Sequence, residues 1–486
     1  GYELEAGEEY ALFVARDAHT YEDTISFRVQ EDIRFENDPV TGNPVENLYT
    51  GCEDPYMDAD YMLGTILSRS DWDNTFPSAP TAQEHEVSPE LIDALNNTDH
   101  NNPEDLDNMD MPWFDEDSDL VLLDMLDGAE GSTSDEAGTN TQVSYEDDRW
   151  QMLLEQCSAD ELINLISYGA FNSAALESIG KPRTNDTDGP AGFVNFMDST
   201  TYYGTCSYCC EVVIASTWNE ELVEEFGRAV GEEGIWGDAE GRSNGMPYSG
   251  WYAPGANIHR SPFGGRNFEY YSEDGFLSGK MAAAQIRGCQ SKGVYCVMKH
   301  FALNEQETHR SLTGVITWAT EQSMRELYLK PFEIAVKESG TRGIMSSFNR
   351  IGTRWTGGDY RLLTSILRDE WGFRGTVICD FNTGAAYMDQ KQMAYAGGDL
   401  NLSTTPKSWC DVSDTADANI LMRCTKNILY TVVNSNAMNR QVDHYNLPIW
   451  TTVLIAVDVV AVLGLAARGI MVFRKKKDAQ TNSAEK

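Results

Sequence analysis

The feature that most constrains this chain is a rhythm. From about residue 120 to 435, short apolar runs alternate with longer amphipathic segments. The runs read Val212–Ser216, Trp251–Pro254, Val294–Met298, Gly343–Ser346 and Gly375–Cys379, with further candidates at Leu162–Ile166, Val315–Trp318 and Asp399–Leu402. Between them lie helical stretches such as Asn219–Glu233 and Thr320–Ser339. Parallel strands covered on both faces read as continuous apolar runs, and each crossover needs a helix. About eight such units in an α/β chain predict a (β/α)8 barrel. No nucleotide fingerprint follows the first strand, which disfavours a dinucleotide fold.

The flanks differ in texture. Tyr10–Val14 and Thr24–Val29 alternate as strands, so residues 1–75 read as the last strands of a β-sandwich whose beginning is missing. The chain opens on Gly1 without a signal sequence, which implies that its start has been removed. Residues 70–148 hold 23 acidic residues and no Lys or Arg. Within that stretch, 76–119 is expected to be an acidic linker draped over the surface, and no D-x-D-x-D-G loop argues for calcium. The barrel is then expected over 120–440.

After it, Leu447–Phe473 is apolar enough for one transmembrane helix, with Pro448–Ala467 supplying the roughly 20 residues a bilayer needs. Arg474-Lys475-Lys476-Lys477 begins a basic tail, 474–486, that the positive-inside rule keeps cytoplasmic. The expected location is therefore the cell membrane, single-pass, with everything before the span outside. Thirty-six Lys and Arg against 77 Asp and Glu leave a formal charge of −41, which excludes nucleic acid as a partner. Of ten cysteines, only Cys206-Ser-Tyr-Cys209-Cys210 is close-spaced, and no second pair completes a zinc site, so no metal or cofactor is expected.

Polar residues appear where the apolar runs stop: Asp188, Arg266, Lys299-His300, Asn349 and Asp380. Barrel enzymes collect their active residues at the carboxyl ends of strands. Carboxylates accept from vicinal hydroxyls while Lys and His donate to them, so the set suits a neutral polyhydroxylated ligand.

The motifs around these residues resemble family 3 glycoside hydrolases. They are Asp188-Gly-Pro-Ala-Gly192, the run from Ile258 through Arg266-Asn-Phe-Glu-Tyr-Tyr-Ser-Glu-Asp274, Lys299-His-Phe-Ala-Leu-Asn304, Arg325–Glu333 and Trp371–Asp380. The flanks resemble members with reversed domain order, in which an α/β sandwich and a fibronectin-like domain come before the barrel. The resemblance implies a retaining, exo-acting β-glycosidase of β-glucosidase type, hydrolysing oligosaccharides or β-glycosides through a covalent intermediate. Asp380 matches the nucleophile, and buried Arg and Lys are expected to keep it ionised. Asp188, Arg266, Lys299 and His300 match the residues that grip sugar hydroxyls, and Arg310 is a candidate brace.

Three positions depart from the family pattern. Val194 stands where an Arg is common, Phe348 where a Tyr often steadies the nucleophile, and Phe381 where Trp is usual. Phe348 and Phe381 remain substrate-facing candidates. The acid/base of the β-glucosidase branch is a Glu on the sandwich domain, so it is expected from a missing upstream partner. Alternatives are a β-xylosidase and a non-catalytic or incomplete carbohydrate-binding surface protein. A metal-dependent hydrolase is remote because the seven histidines form no ligand pair.

Overall fold

The computed structural model describes residues 2–17, 20–50, 52, 87–126, 143–193, 205–236, 248–310, 312–405, 408–439, 457–469 and 471. Twelve strands are found there: β1 (Tyr2–Leu4), β2 (Glu9–Ala15), β3 (Tyr21–Arg28), β4 (Ile33–Phe35), β5 (Asp186–Asp188), β6 (Gly250–Tyr252), β7 (Tyr295–Phe301), β8 (Ile316–Thr317), β9 (Gly343–Ser346), β10 (Arg350–Ile351), β11 (Arg354–Trp355) and β12 (Thr376–Ile378). The helices are α1 (Pro89–Asn96), α2 (Arg149–Glu155), α3 (Ala159–Ser167), α4 (Glu211–Ala215), α5 (Glu220–Trp236), α6 (Gly275–Gln290), α7 (Glu321–Ser323), α8 (Lys330–Ser339), α9 (Gln390–Ala396) and α10 (Thr415–Val433).

The centre of the unit Gly1–Arg440 is a parallel sheet in the order β12-β9-β7-β6-β5. Two irregular staves continue it into a ring. Leu400 pairs in parallel with Ile378, and the Asn401 N–H donates to the Ile166 carbonyl at 2.9 Å. Gly169 N–H returns to the Asn401 carbonyl at 2.8 Å, and Asp186 N–H reaches the Phe171 carbonyl at 2.9 Å.

Side-chain parity sorts the residues. Trp251, Cys296, Met298, Ile344 and Val377 face the helical layer in one apolar cluster. Tyr252, Tyr295, Val297, Met345 and Ile378 belong to the other cluster, within the ring. Successive strand residues point to opposite faces, so Lys299 continues the inward set of Tyr295 and Val297, and Asp380 continues that of Ile378. Lys299 and Asp380 thus share the parity of the barrel interior.

Three of the expected strands are corrected. Leu162–Ile166 lies in α3, whose Ser158 and Glu161 form a reciprocal capping box, and Leu162, Leu165 and Ile166 bury at helical spacing. Val212–Ser216 lies mostly in α4, where Glu211, Ile214 and Ala215 repeat that spacing. Val315–Trp318 contributes β8, but to a side sheet with β10 and β11. The short polar strand Asp186–Asp188 had no apolar run to announce it.

Before the barrel, β1 pairs with β4 and β2 with β3, both antiparallel, and most of their side chains are exposed. The following chain lies on the barrel: Asn43 Nδ2 donates to the Asp369 carbonyl at 2.6 Å, and Arg325 donates to the Glu46 carbonyl at 2.8 Å. Part of the acidic stretch does the same, with Asn101 Nδ2 on Asp359 at 3.0 Å and Leu122 and Met125 fully buried. Residues 53–86 lie outside the described residues, as does Val194.

In the second unit, Gln441–Lys486, residues 457–469 are helical and almost all exposed. The expected transmembrane helix is not found: among the described residues no helix is long and apolar enough to cross a membrane. Residues 440–456, 470 and 472–486 lie outside the described residues.

The α5–α6 contact depends on two glycines. A Cβ on Gly227 would stand 2.1 Å from the Gln285 carbonyl oxygen, and one on Gly288 would stand 2.0 Å from that of Glu224. Backbone cannot yield as a flexible side chain does, so Gly227→Ala should lower stability by about 1–3 kcal/mol, the usual scale of overpacking. Urea denaturation checks this, and an unchanged midpoint would refute the contact.

Candidate functional site

Asp188, Lys299, His300 and Asp380 stand at or just beyond the carboxyl ends of β5, β7 and β12. Lys299 is the centre. Its ammonium is 2% exposed and lies 2.6 Å from Asp188 Oδ1 and 3.1 Å from Glu269 Oε1. Burial alone would push the Lys299 pKa down, but Asp188 and Glu269 outweigh it and hold the value above normal. For Glu269, burial pushes upward, and Lys299 with Arg266 brings the carboxyl below its ordinary value. Arg266 Nε donates to Glu269 Oε2 at 2.6 Å.

His300 follows Lys299 yet turns the same way, which the irregular β7–β9 ladder between Met298 and Phe301 permits. Its Nε2 faces Arg266 Nη1 at 3.0 Å and its Nδ1 faces the Tyr270 hydroxyl at 3.3 Å. Burial, then Arg266, Lys299 and Arg310, depress its pKa well below the imidazole norm. The ring is therefore neutral, accepting at Nε2 and carrying its proton at Nδ1. Sequence reasoning made His300 a donor to sugar hydroxyls; in the structure both nitrogens are taken within the protein.

Asp380 takes the Phe381 N–H on Oδ1 at 2.7 Å. Its Oδ2 lies 3.4 Å from Arg310 Nη1 and 3.8 Å from His300 Nε2. Burial is the largest influence on this carboxyl and raises its pKa above the ordinary value, against Arg310, Arg266, the Phe381 N–H and Lys299. Desolvation thus sets the direction of the shift, while the cations that were expected to keep Asp380 ionised act against it.

Arg310 is more than a remote brace, since it touches the carboxylate itself and lies 4.5 Å over the Phe348 ring. Phe381 packs half-buried against the inner core and contributes its backbone N–H. Asn349 is not in the cluster; it donates to Thr317 Oγ1 at 2.9 Å and braces the loop after β9.

Two members were missed, Glu269 and Glu307. Glu307 Oε2 is 2.7 Å from Arg310 Nε and its Oε1 is 3.9 Å from Arg266 Nη1. Each acid stands three residues from its arginine, a spacing the sequence offered as a signal.

The fold and site define a class: a (β/α) barrel that presents a buried network of carboxylates and cations at the carboxyl ends of its strands. The profile of the glycosyl hydrolase family 3 N terminal domain, a (β/α)8-type fold, matches residues 177–444, and the chain belongs to that family. Beta-glucosidase A of Butyrivibrio fibrisolvens is 38% identical over 257 residues, covering 51% of this chain and 29% of that protein. An exo-alpha-(1->6)-L-arabinopyranosidase of Bifidobacterium longum is 36% identical over 262 residues, 52% of this chain and 32% of the relative. The structure of beta-glucosidase 3B from Thermotoga neapolitana, in complex with alpha-D-glucose, superposes with a TM-score of 0.51 at 33% identity, covering 61% of this chain and 44% of that one. The chain thus spans about a third of the length of the curated relatives it matches.

Glu305, beside the site, gives a pH test. Buried, with Asn257 Nδ2 at 3.3 Å, its carboxyl is lifted by desolvation from 4.5 to about 7. The folded state then binds more protons than the unfolded chain between those values, so this stabilisation is present below pH 4.5 and lost as pH rises through about 7. Glu305→Gln, always neutral, should match the parent near pH 4.5 and exceed its stability above about pH 8 by up to about 3 kcal/mol. Equal denaturation midpoints at both pH values would refute it.

Proposed function

We propose that this chain is the barrel of a retaining, exo-acting β-glycosidase of β-glucosidase type. The observation that carries the proposal is the asymmetry of Asp380: Oδ1 is tied to the backbone, while Oδ2 faces the mouth between Arg310 and His300. In this mechanism Oδ2 attacks the anomeric carbon as the glycosidic C–O bond breaks, leaving a glycosyl ester on Asp380. The departing oxygen takes a proton from an acid, which we assign to a domain upstream of this chain. Water then attacks the same carbon while giving its proton to the conjugate base of that acid, and the ester bond breaks to free the Asp380 carboxylate. Asp188 and Lys299 grip the sugar hydroxyls, Asp188 being partly exposed beside the buried ammonium.

Incubation with a 2-deoxy-2-fluoro-glucoside bearing a dinitrophenolate should add one fluoroglucosyl group at Asp380, read by peptide mass spectrometry, and Asp380→Ala should abolish it. Because burial raises the Asp380 pKa, labelling should fall off on acidification at a pH above about 3.9, the ordinary Asp value. Absence of the adduct in the parent chain would overturn the proposal.

Phe348 offers no hydroxyl, and the Bifidobacterium longum relative is named for action on a pentoside. We expect glucosides and xylosides to be accepted within about a thousandfold of each other, about 4 kcal/mol. A stricter preference in competing kcat/KM values contradicts this.

We also propose a membrane anchor in 447–473, on the strength of its apolar sequence and the basic run that follows. Removing everything after residue 440 should release the protein from membranes; continued pelleting would place the anchor elsewhere.

A further inference from the structure

Of the ion-pair partners of the proposed nucleophile's free oxygen among the described residues, Arg310 lies closest, and three contacts fix where it can go. Glu307 Oε2 takes its Nε at 2.7 Å, Phe348 lies under the guanidinium at 4.5 Å, and the Tyr387 hydroxyl donates to the Arg310 backbone carbonyl at 3.4 Å. Glu307 is itself seated. A Cβ on Gly265, whose φ is +88°, would stand 2.9 Å from Glu307 Cγ, so the glycine leaves room for the stem beside Arg266. Leu303 (φ 60°) precedes this stretch and His309 (φ 62°) stands between Glu307 and Arg310, left-handed conformations that surrounding contacts must hold. Among the described residues Glu307 Oε1 has no hydrogen-bond partner, and it forms an ion pair with Arg266 at 3.9 Å.

We infer that Glu307 is a positioning residue: with Phe348 it clamps the Arg310 guanidinium so that Nη1 stays on Asp380 Oδ2. In the family pattern a tyrosine hydroxyl often steadies the nucleophile; here Phe348 gives only a ring face, and the steadying group is the cation that ring carries. The inference rests on the proposed role of Asp380. A carboxylate this near the nucleophile would by charge alone hinder its ionisation. Its geometry serves the opposite end, through the arginine.

The two effects have opposite signs, which makes the idea testable. The charged and titratable groups around Asp380 are Arg310, Arg266, Lys299, His300 and Tyr387, with Glu307 behind Arg310 and Glu269 behind Arg266. The probe is dinitrophenyl 2-deoxy-2-fluoro-β-glucoside, with dinitrophenolate release followed across pH in the full chain. Glu307→Ala should slow release at neutral pH by at least about ten-fold, the scale of one charge-assisted hydrogen bond, and move the acid limb to higher pH. Glu307→Gln, which keeps an acceptor but not the charge, should fall between it and the parent. Glu307→Ala should add nothing further once Arg310→Ala is in place, as two residues acting through one contact require. An acid limb that stays put or moves down, or effects that multiply in the double variant, overturns the clamp. A parent that releases dinitrophenolate normally with an indifferent Glu307→Ala sinks only this inference. A parent that never releases it sinks the role of Asp380 and the clamp together. Thermal melting identifies a misfolded alanine variant, and the near-isosteric Glu307→Gln then decides.

Discussion

The Lys299 ammonium, buried between Asp188 and Glu269, is the interaction on which the rest of the site depends. An ammonium withdrawn from water costs several kcal/mol unless its partners are well placed, and breaking such a pair strands a charge. Lys299 meets the condition with two carboxylates at 2.6 and 3.1 Å. The second passes the constraint to Arg266, which donates to His300, whose ring faces Asp380. The barrel supplies the geometry: strands β5 and β7 bring Asp188 and Lys299 together across an intervening strand, and the segment after β6 adds Arg266 and Glu269.

The environment of Asp380 sets burial against charge. A carboxyl enclosed among core side chains is pushed toward its neutral form, while three cations and one backbone N–H draw it back. Electrostatic groups placed before the reaction are effective because they need not reorganise as charge moves. The neutral state of His300 belongs to the same logic. With two arginines and a lysine close by, a fourth cation would be repelled, so the imidazole serves as an acceptor and a spacer.

Much of this was legible in the sequence because barrel strands carry their parity openly. Tyr295, Val297 and Lys299 are spaced by two, so a strand through Val294–Met298 carries Lys299 on the face of Tyr295 and Val297. The failures have physical causes. Leu162–Ile166 and Val212–Ser216 are apolar runs too short to separate a strand from a buried helical turn by content alone. The capping box Ser158–Glu161 held the deciding information. The strand Asp186–Asp188 escaped notice because both inward residues are acids: Asp186 accepts from Tyr295 at 2.5 Å, and Asp188 pairs with Lys299 at 2.6 Å. Glu269 and Glu307 were hidden for a related reason, since an acid three residues from an arginine is commonplace on a surface. What distinguishes these two is burial, which sequence spacing does not report.

A crystal structure of the chain soaked with glucose tests the central claim most directly. The account predicts the sugar in the strand-end mouth, hydroxyls within hydrogen-bond distance of Asp188 and Lys299, and its anomeric carbon facing Asp380 Oδ2. Glucose bound with its anomeric carbon turned away from Asp380, or seated elsewhere while this mouth holds only solvent, would contradict it.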